Sequence, residues 1–204
     1  MIKTVIFDIG NVLADFSWDP FFRKFGFSDE VLEKLANATV KSPQWHEFDR
    51  GALATEEIVE AFIANDPEVE EQIRLVFENL KGIVTKREYA VEWIKHLKKK
   101  GLQVLYLSNF AEITKEHCKD ALEFMAYTDG GIMSYELQLV KPDPAFFQAL
   151  IDKYDLKPQE CVFIDDTWVN VEAAAQMGFH TVHAKEHLQV LEDLKVLGVP
   201  SYTA

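Results

Sequence analysis

The chain has 204 residues, 48% apolar and 27% charged, which suits one α/β domain with an insertion and is too apolar for a disordered polymer. Its formal net charge of −13 repels polyphosphate, and the lysines and arginines are scattered rather than massed, which argues against a nucleic-acid role. The two cysteines, Cys118 and Cys161, offer neither a zinc spacing nor a disulfide framework, in keeping with a reducing compartment.

Thr4-Val5-Ile6-Phe7 is a β-prone run that stops at Asp8, with Gly10 and Asn11 as turn residues after it. The apolar stretch Val5 to Leu13 is broken by Asp8 and is far shorter than the roughly 20 residues of a bilayer span. A soluble cytoplasmic protein without membrane contact is expected. From about Trp18 to Asn79 the pattern becomes helical, with predicted helices over Glu30 to Ala38, Glu56 to Ala64 and Val69 to Phe77. Helix then alternates with strand: helix Arg87 to Lys99, strand Gln103 to Leu107, helices Ile113 to Phe124 and Pro144 to Tyr154, strand Cys161 to Ile164, helix Val169 to Met177, and strand His180 to His183. That alternation predicts a doubly wound parallel sheet with helices on both faces, formed by residues 1–17 and 80–204. Residues 18–79 read as an inserted, all-helical cap, with hinges near Asp15 to Trp18 and Leu80 to Thr85.

Polar residues stand at the ends of three strands: Asp8, then Ser108-Asn109, then Asp165-Asp166. In an open parallel sheet the carboxyl edge is where ligands bind. Lys141 precedes a further helix in the loop Leu139-Val140-Lys141-Pro142-Asp143. Three carboxylates at one point repel each other unless a cation or a lysine sits among them, and oxygen ligands of this kind suit Mg²⁺. Taken singly, these residues have plainer readings as a strand end, a turn, a surface lysine and a helix cap.

Four segments stand in order over nearly the whole chain: Phe7-Asp8-Ile9-Gly10-Asn11-Val12-Leu13, Leu107-Ser108-Asn109, Lys141-Pro142, and Ile164-Asp165-Asp166 followed by Asn170. With these motifs the sequence resembles the haloacid dehalogenase-like hydrolase superfamily, and within it the branch containing bacterial α-glucose-1-phosphate phosphatases. The resemblance implies a Rossmann-like core with a small helical cap and a Mg²⁺-dependent phosphatase working through an aspartyl-phosphate. Asp8 is then the nucleophile. Ser108 and Asn109 hold phosphate oxygens, and Lys141 neutralises charge on the phosphate and on Asp8. The metal set is Asp8, the Gly10 carbonyl, Asp165 and, through water, Asp166, with Asn170 orienting that shell.

Trp45-His46-Glu47-Phe48-Asp49-Arg50-Gly51 mixes aromatic and charged groups inside the cap. Such a composition fits Trp45 stacking on a sugar and Glu47 bonding its hydroxyls, and equally a solvated helix end. Phosphatases of the superfamily mostly carry a second aspartate two positions after the nucleophile, where this chain has Gly10. Either the leaving group is intrinsically good, as in a hexose 1-phosphate, or a cap residue such as Glu47 or Asp49 supplies the proton. The expected partner is a small phosphorylated metabolite, bound by a monomer or homodimer. The alternatives are a non-catalytic protein that binds phosphorylated ligands or a partner on the same fold, and a metal-free 2-haloacid dehalogenase. The dehalogenase leaves Asp165-Asp166 as an unexplained repulsion, and a phosphomutase would lean harder on the missing acid-base group.

Overall fold

The β-branched and aromatic run Thr4-Val5-Ile6-Phe7 forms strand β1 (Thr4–Phe7), buried along its length. In this computed structural model, which describes residues 1–202, β1 is the centre of a five-stranded parallel sheet. Strand β4 (Gln103–Ser108) pairs on one side, with Phe7 opposite Tyr106, and β6 (Cys161–Asp165) on the other, with Phe7 opposite Ile164. Strands β5 (Gly130–Met133) and β7 (His180–His183) form the edges, giving the order β5-β4-β1-β6-β7.

Alternation along β1 splits the core between the two faces of the sheet. Val5 and Phe7 join Val104, Val162 and Ile164 on one face, and Ile6 joins Leu105, Leu107 and Phe163 on the other. The first face is covered by helix α6 (Ala90–Lys99) through Trp93, Ile94 and Leu97, the second by α9 (Pro144–Tyr154) through Phe146, Phe147 and Leu150. Phe7 meets Trp93 edge to face at 4.8 Å, and each such buried ring contributes about 1.5–3 kcal/mol. This is the doubly wound α/β architecture expected from the alternation. The chain builds β1, β4 and β5 outward in one direction, then crosses β1 to add β6 and β7. The change of direction opens a crevice at the carboxyl ends of β1 and β6.

Five helices lie in sequence between two short strands, β2 (Ala14–Phe16) and β3 (Val84–Lys86): α1 (Trp18–Arg23), α2 (Asp29–Ala38), α3 (Gln44–Arg50), α4 (Thr55–Asn65) and α5 (Glu70–Glu78). Their interior is aromatic, with Trp45 at 4.9 Å from Phe48 and Phe62 at 5.2 Å from Phe77. Phe16 of β2 meets Trp45 at 5.6 Å, and one apolar cluster runs from these rings to Phe7. The segments expected as hinges take up short extended structure. They hold β2 and β3, paired antiparallel with Asp15 opposite Thr85, and Arg87 bonds Asp15 at 2.6 Å.

The remaining differences have local causes. Arg87 is engaged by Asp15 and the Val12 carbonyl, so the helix expected to start there begins at Ala90. The helix predicted over Ile113 to Phe124 is α7 (Glu112–His117) followed by a 3₁₀ segment, Lys119–Tyr127, kinked at Leu122. Strand β5 opens with Gly130 and Gly131, which carry no β signal. A Cβ on Gly131 would sit 2.3 Å from the Tyr106 carbonyl, so the strand can approach β4 only with glycine there. Short helix α8 (Ser134–Leu137), helix α10 (Trp168–Gln176) and a further helix, α11 (His187–Val196), complete the described chain. Cys118 and Cys161 are free and buried, and no described helix is long and apolar enough to cross a membrane.

Candidate active site

Each polar group at the crevice is delivered by the end of a core element. Asp8 follows β1 directly, and its backbone N–H donates to the Ile164 carbonyl at 2.8 Å, which carries the ladder one residue past the strand. Ser108 ends β4 and Asp165 ends β6. Lys141 precedes α9, whose start is fixed by Asp143 as N-cap, accepting from the Ala145 N–H at 2.9 Å, and by Pro144 at the first helical position.

These residues converge. The Lys141 ammonium lies 2.8 Å from Asp8 Oδ1 and 2.6 Å from Asp165 Oδ2, with its side chain fully buried. Ser108 Oγ donates to the same Asp8 Oδ1 at 2.7 Å. Carboxylate oxygens of Asp8, Asp165 and Asp166 lie within 4.8 Å of one another, a set able to hold a metal ion. Asp165 is held by the Thr167 backbone N–H at 2.8 Å and by Asn170 Nδ2, which reaches both of its oxygens at 3.1 and 3.2 Å. Asn170 thus braces the Asp165 carboxylate from the first turn of α10.

Burial is the main influence on Asp8 and pushes its carboxyl up to about 7. Asp165 and Asp166 add to the rise, and Lys141 opposes it. For Lys141 burial works against the charge, but Asp165 and Asp8 together outweigh it and raise the ammonium above its ordinary value. The lysine therefore stays charged. One cation among three carboxylates leaves the cluster short of positive charge.

Asn109 lines the cavity beside Asp8 and also holds the lysine: its amide donates to the Lys141 carbonyl at 3.0 Å and accepts from the Lys141 N–H at 2.7 Å, so both ends clamp that backbone. The clamp sets where the lysine emerges. Ser108 likewise spends its hydroxyl proton on Asp8.

Above the cluster is a cavity of about 180 Å³, lined by Asp8 and Asp166 from the sheet edge, Trp45 and Asp49 from α3, and Phe16 and Phe110. Trp45 and Asp49 are four residues apart and share a helix face. Glu47 falls on another face of α3, outside the cavity wall, where it pairs with Arg50 at 3.1 Å and is half exposed. The structure therefore separates Glu47 from the other expected substrate contacts. Asp49 keeps part of its surface open to the cavity. Its carboxyl is pushed up to about 8, chiefly by burial and then by the charge of Asp8. Asn11, read from sequence only as a turn residue, has φ of 55° and donates to Asp166 Oδ2 at 2.8 Å. Asparagine tolerates this left-handed backbone, and that tolerance was the available signal.

Known proteins can be set beside this geometry. The chain is 24% identical to D-ribitol-5-phosphate phosphatase of Bacteroides thetaiotaomicron, covering 97% of this chain and 98% of that one. It is 24% identical to a sesquiterpene phosphatase of Aspergillus oryzae, covering 96% of each. It is also 26% identical to Acyl-CoA dehydrogenase family member 10 of Mus musculus over 97% of this chain, but spans only 19% of that protein's length. Among solved structures, a haloacid dehalogenase family enzyme of Bacteroides thetaiotaomicron, in complex with magnesium and inorganic phosphate, superposes with a TM-score of 0.69 at 24% identity, over 92% of this chain and 96% of that one. Residues 2–178 match the family described as haloacid dehalogenase-like hydrolase, and with three strand-end motifs and the Lys141 loop meeting at one crevice of a doubly wound sheet, the chain belongs to that family.

Proposed function

We propose that this protein is a Mg²⁺-dependent phosphatase that hydrolyses a small phosphate monoester, a sugar phosphate such as a hexose 1-phosphate, through an aspartyl-phosphate on Asp8. The observation that carries the reading is the buried Lys141 ammonium bridging Asp8 and Asp165 beside Asp166. A strand-end aspartate with only a structural task has no use for a buried cation and two further carboxylates.

The residues present fit the metal. Three carboxylates against one lysine leave excess negative charge on hard oxygen ligands, the donor set Mg²⁺ prefers. Asp8, Asp165, the Gly10 carbonyl and, through water, Asp166 would hold it. When bound, it neutralises phosphate charge and holds the ester against the sheet edge. Lys141 adds a fixed positive charge, and Asn109 and Asn170 keep Lys141 and Asp165 in place.

In the first step an Asp8 oxygen bonds to phosphorus and the bond to the ester oxygen breaks, its electron pair leaving with that oxygen. In the second, water attacks the same phosphorus and the aspartyl–phosphorus bond breaks, which releases inorganic phosphate and regenerates Asp8. The cavity of about 180 Å³ favours a small leaving group, and its mix of Trp45 and Phe16 with polar groups suits a sugar ring. The full-length likeness to a ribitol-5-phosphate phosphatase supports the same class. A metal-free dehalogenase would leave the Asp165–Asp166 cluster without purpose.

Phosphate release from sugar phosphates and an aryl phosphate, with Mg²⁺ and with chelator, tests the reading. Turnover that needs Mg²⁺ and vanishes in Asp8→Asn is expected. Absence of turnover on every ester, while phosphate still raises Tm, would favour a phospho-ligand-binding protein instead.

A further inference from the structure

The first displacement expels an oxygen that must gain a proton unless its conjugate acid is strong. Among the described residues, the sheet side of the cavity offers no free acid: the unpartnered hydroxyl there, Thr114 Oγ1, is an alcohol too weakly acidic to protonate a leaving oxygen. Ser108 Oγ gives its proton to Asp8, Lys141 is shared between Asp8 and Asp165, and Asp166 belongs to the anionic cluster and accepts from Asn11. Position 10, next to Asp8, has no side chain. On the cap side stands Asp49, a desolvated carboxyl that forms no ion pair among the described residues and lines the same cavity as Asp8.

Its position is fixed by three contacts to one core segment. Ser134 Oγ, fully buried, donates to the Asp49 carbonyl and accepts from the Phe110 N–H at 2.8 Å, tying the end of α3 to the loop after β4. Arg50 Nη1 donates to the Gln138 carbonyl at 3.3 Å. Gly51, with φ of 67°, packs so closely on Tyr135 that a Cβ would lie 2.7 Å from the tyrosine Cβ. Asp49 is therefore held at the sheet edge by its own carbonyl and by the two residues that follow it.

We propose that Asp49 is the proton donor to the leaving oxygen and, in the second step, the acceptor of the proton from the attacking water. As the phosphorus–oxygen bond breaks, the departing oxygen takes the Asp49 proton and leaves as an alcohol, and Asp49 becomes a carboxylate. Water then passes a proton to Asp49 as it attacks the aspartyl-phosphate, which restores the starting state. The inference rests on the phosphatase reading above. It widens the substrate class from esters with good leaving groups to ordinary alkyl phosphates.

The test compares kcat/KM for an aryl phosphate, whose leaving group needs little protonation, with that for a primary alkyl phosphate, in the native protein and in Asp49→Asn. The alkyl rate should fall by at least about 100-fold in the variant and the aryl rate by far less. A Cβ at Gly10 would meet only Asp8 Oδ2, at 3.9 Å, and the backbone there is not left-handed, so a side chain can start from that position. Adding Gly10→Asp to Asp49→Asn should recover at least about tenfold of the alkyl rate. Equal loss on both esters, or no loss on either, would overturn the proposal while leaving the phosphatase reading intact. No aryl turnover by the native protein would overturn both. Should Asp49→Asn fail to fold, the native protein still decides. Its kcat/KM across esters of decreasing leaving-group acidity should fall shallowly, and a steep fall would exclude a donor.

Discussion

Lys141 is the residue on which the cluster depends. Its ammonium has left water entirely and is compensated by Asp8 and Asp165 at 2.8 and 2.6 Å. Lys141→Met keeps the volume and removes the charge, leaving three carboxylates without a protein cation. In chelator this should cost about 3–5 kcal/mol in urea unfolding, the usual result of breaking a buried pair from one side. Added Mg²⁺ should restore part of that stability without restoring turnover. Stability unchanged by the substitution would mean that the two Lys141 ion pairs add nothing to the metal-free fold. Residue types at strand ends were legible in the sequence, and so were Asp8, Ser108, Lys141, Asp165 and Asp166. The direction of a side chain was less so. Asn109 turns its amide to the Lys141 backbone, and Glu47 faces away from the cavity because two residues along a helix is about half a turn.

At the scale of elements, the joint between α3 and the core decides where Asp49 sits. Gly51 ends α3 in the left-handed conformation and packs against Tyr135. Gly51→Ala combines a left-handed non-glycine residue, about 1–2 kcal/mol, with a steric overlap, so the urea midpoint should fall and turnover with it. An unchanged midpoint would show that the joint yields without cost. Long helices with caps and strands of continuous β-branched residues were read correctly from their patterns. The ten-residue helix α11 also went unread, and the other elements that escaped are short: three-residue β2 and β3 stabilise each other only as a pair, and β5 is recognisable only once Tyr106 and its strand are beside it. Nothing local distinguishes such short segments from loop.

The whole molecule links proton, metal and stability. With Asp8 pushed up to about 7 and Asp49 to about 8, both by burial first, the metal-free folded protein keeps protons that the unfolded chain has lost above about pH 4. The unfolded state binds fewer protons in that window, so these two groups make stability fall as pH rises from about 4 to 8. In chelator, their contribution should lower Tm at pH 8 relative to pH 6, and Asp8→Asn should reduce that difference. Mg²⁺ requires the carboxylate form, so the rise in Tm it produces should be larger at pH 8 than at pH 6. A metal-induced rise that is equal or larger at pH 6 would contradict the assignment of Asp8 to the metal set.

The sequence by itself determined the fold class and the chemical identities at the carboxyl edge, because hydrophobic periodicity and the residues that end strands are local properties. Only the tertiary structure decided how those residues divide the work. Ser108 and Lys141 meet on one oxygen of Asp8, Asn109 clamps a backbone 32 residues away, and Asp49 of α3 shares a cavity with a residue of β1. Those relations depend on how the helical insertion packs over the sheet and on which face of α3 turns inward. They are distances between segments far apart in the chain, which no local pattern encodes.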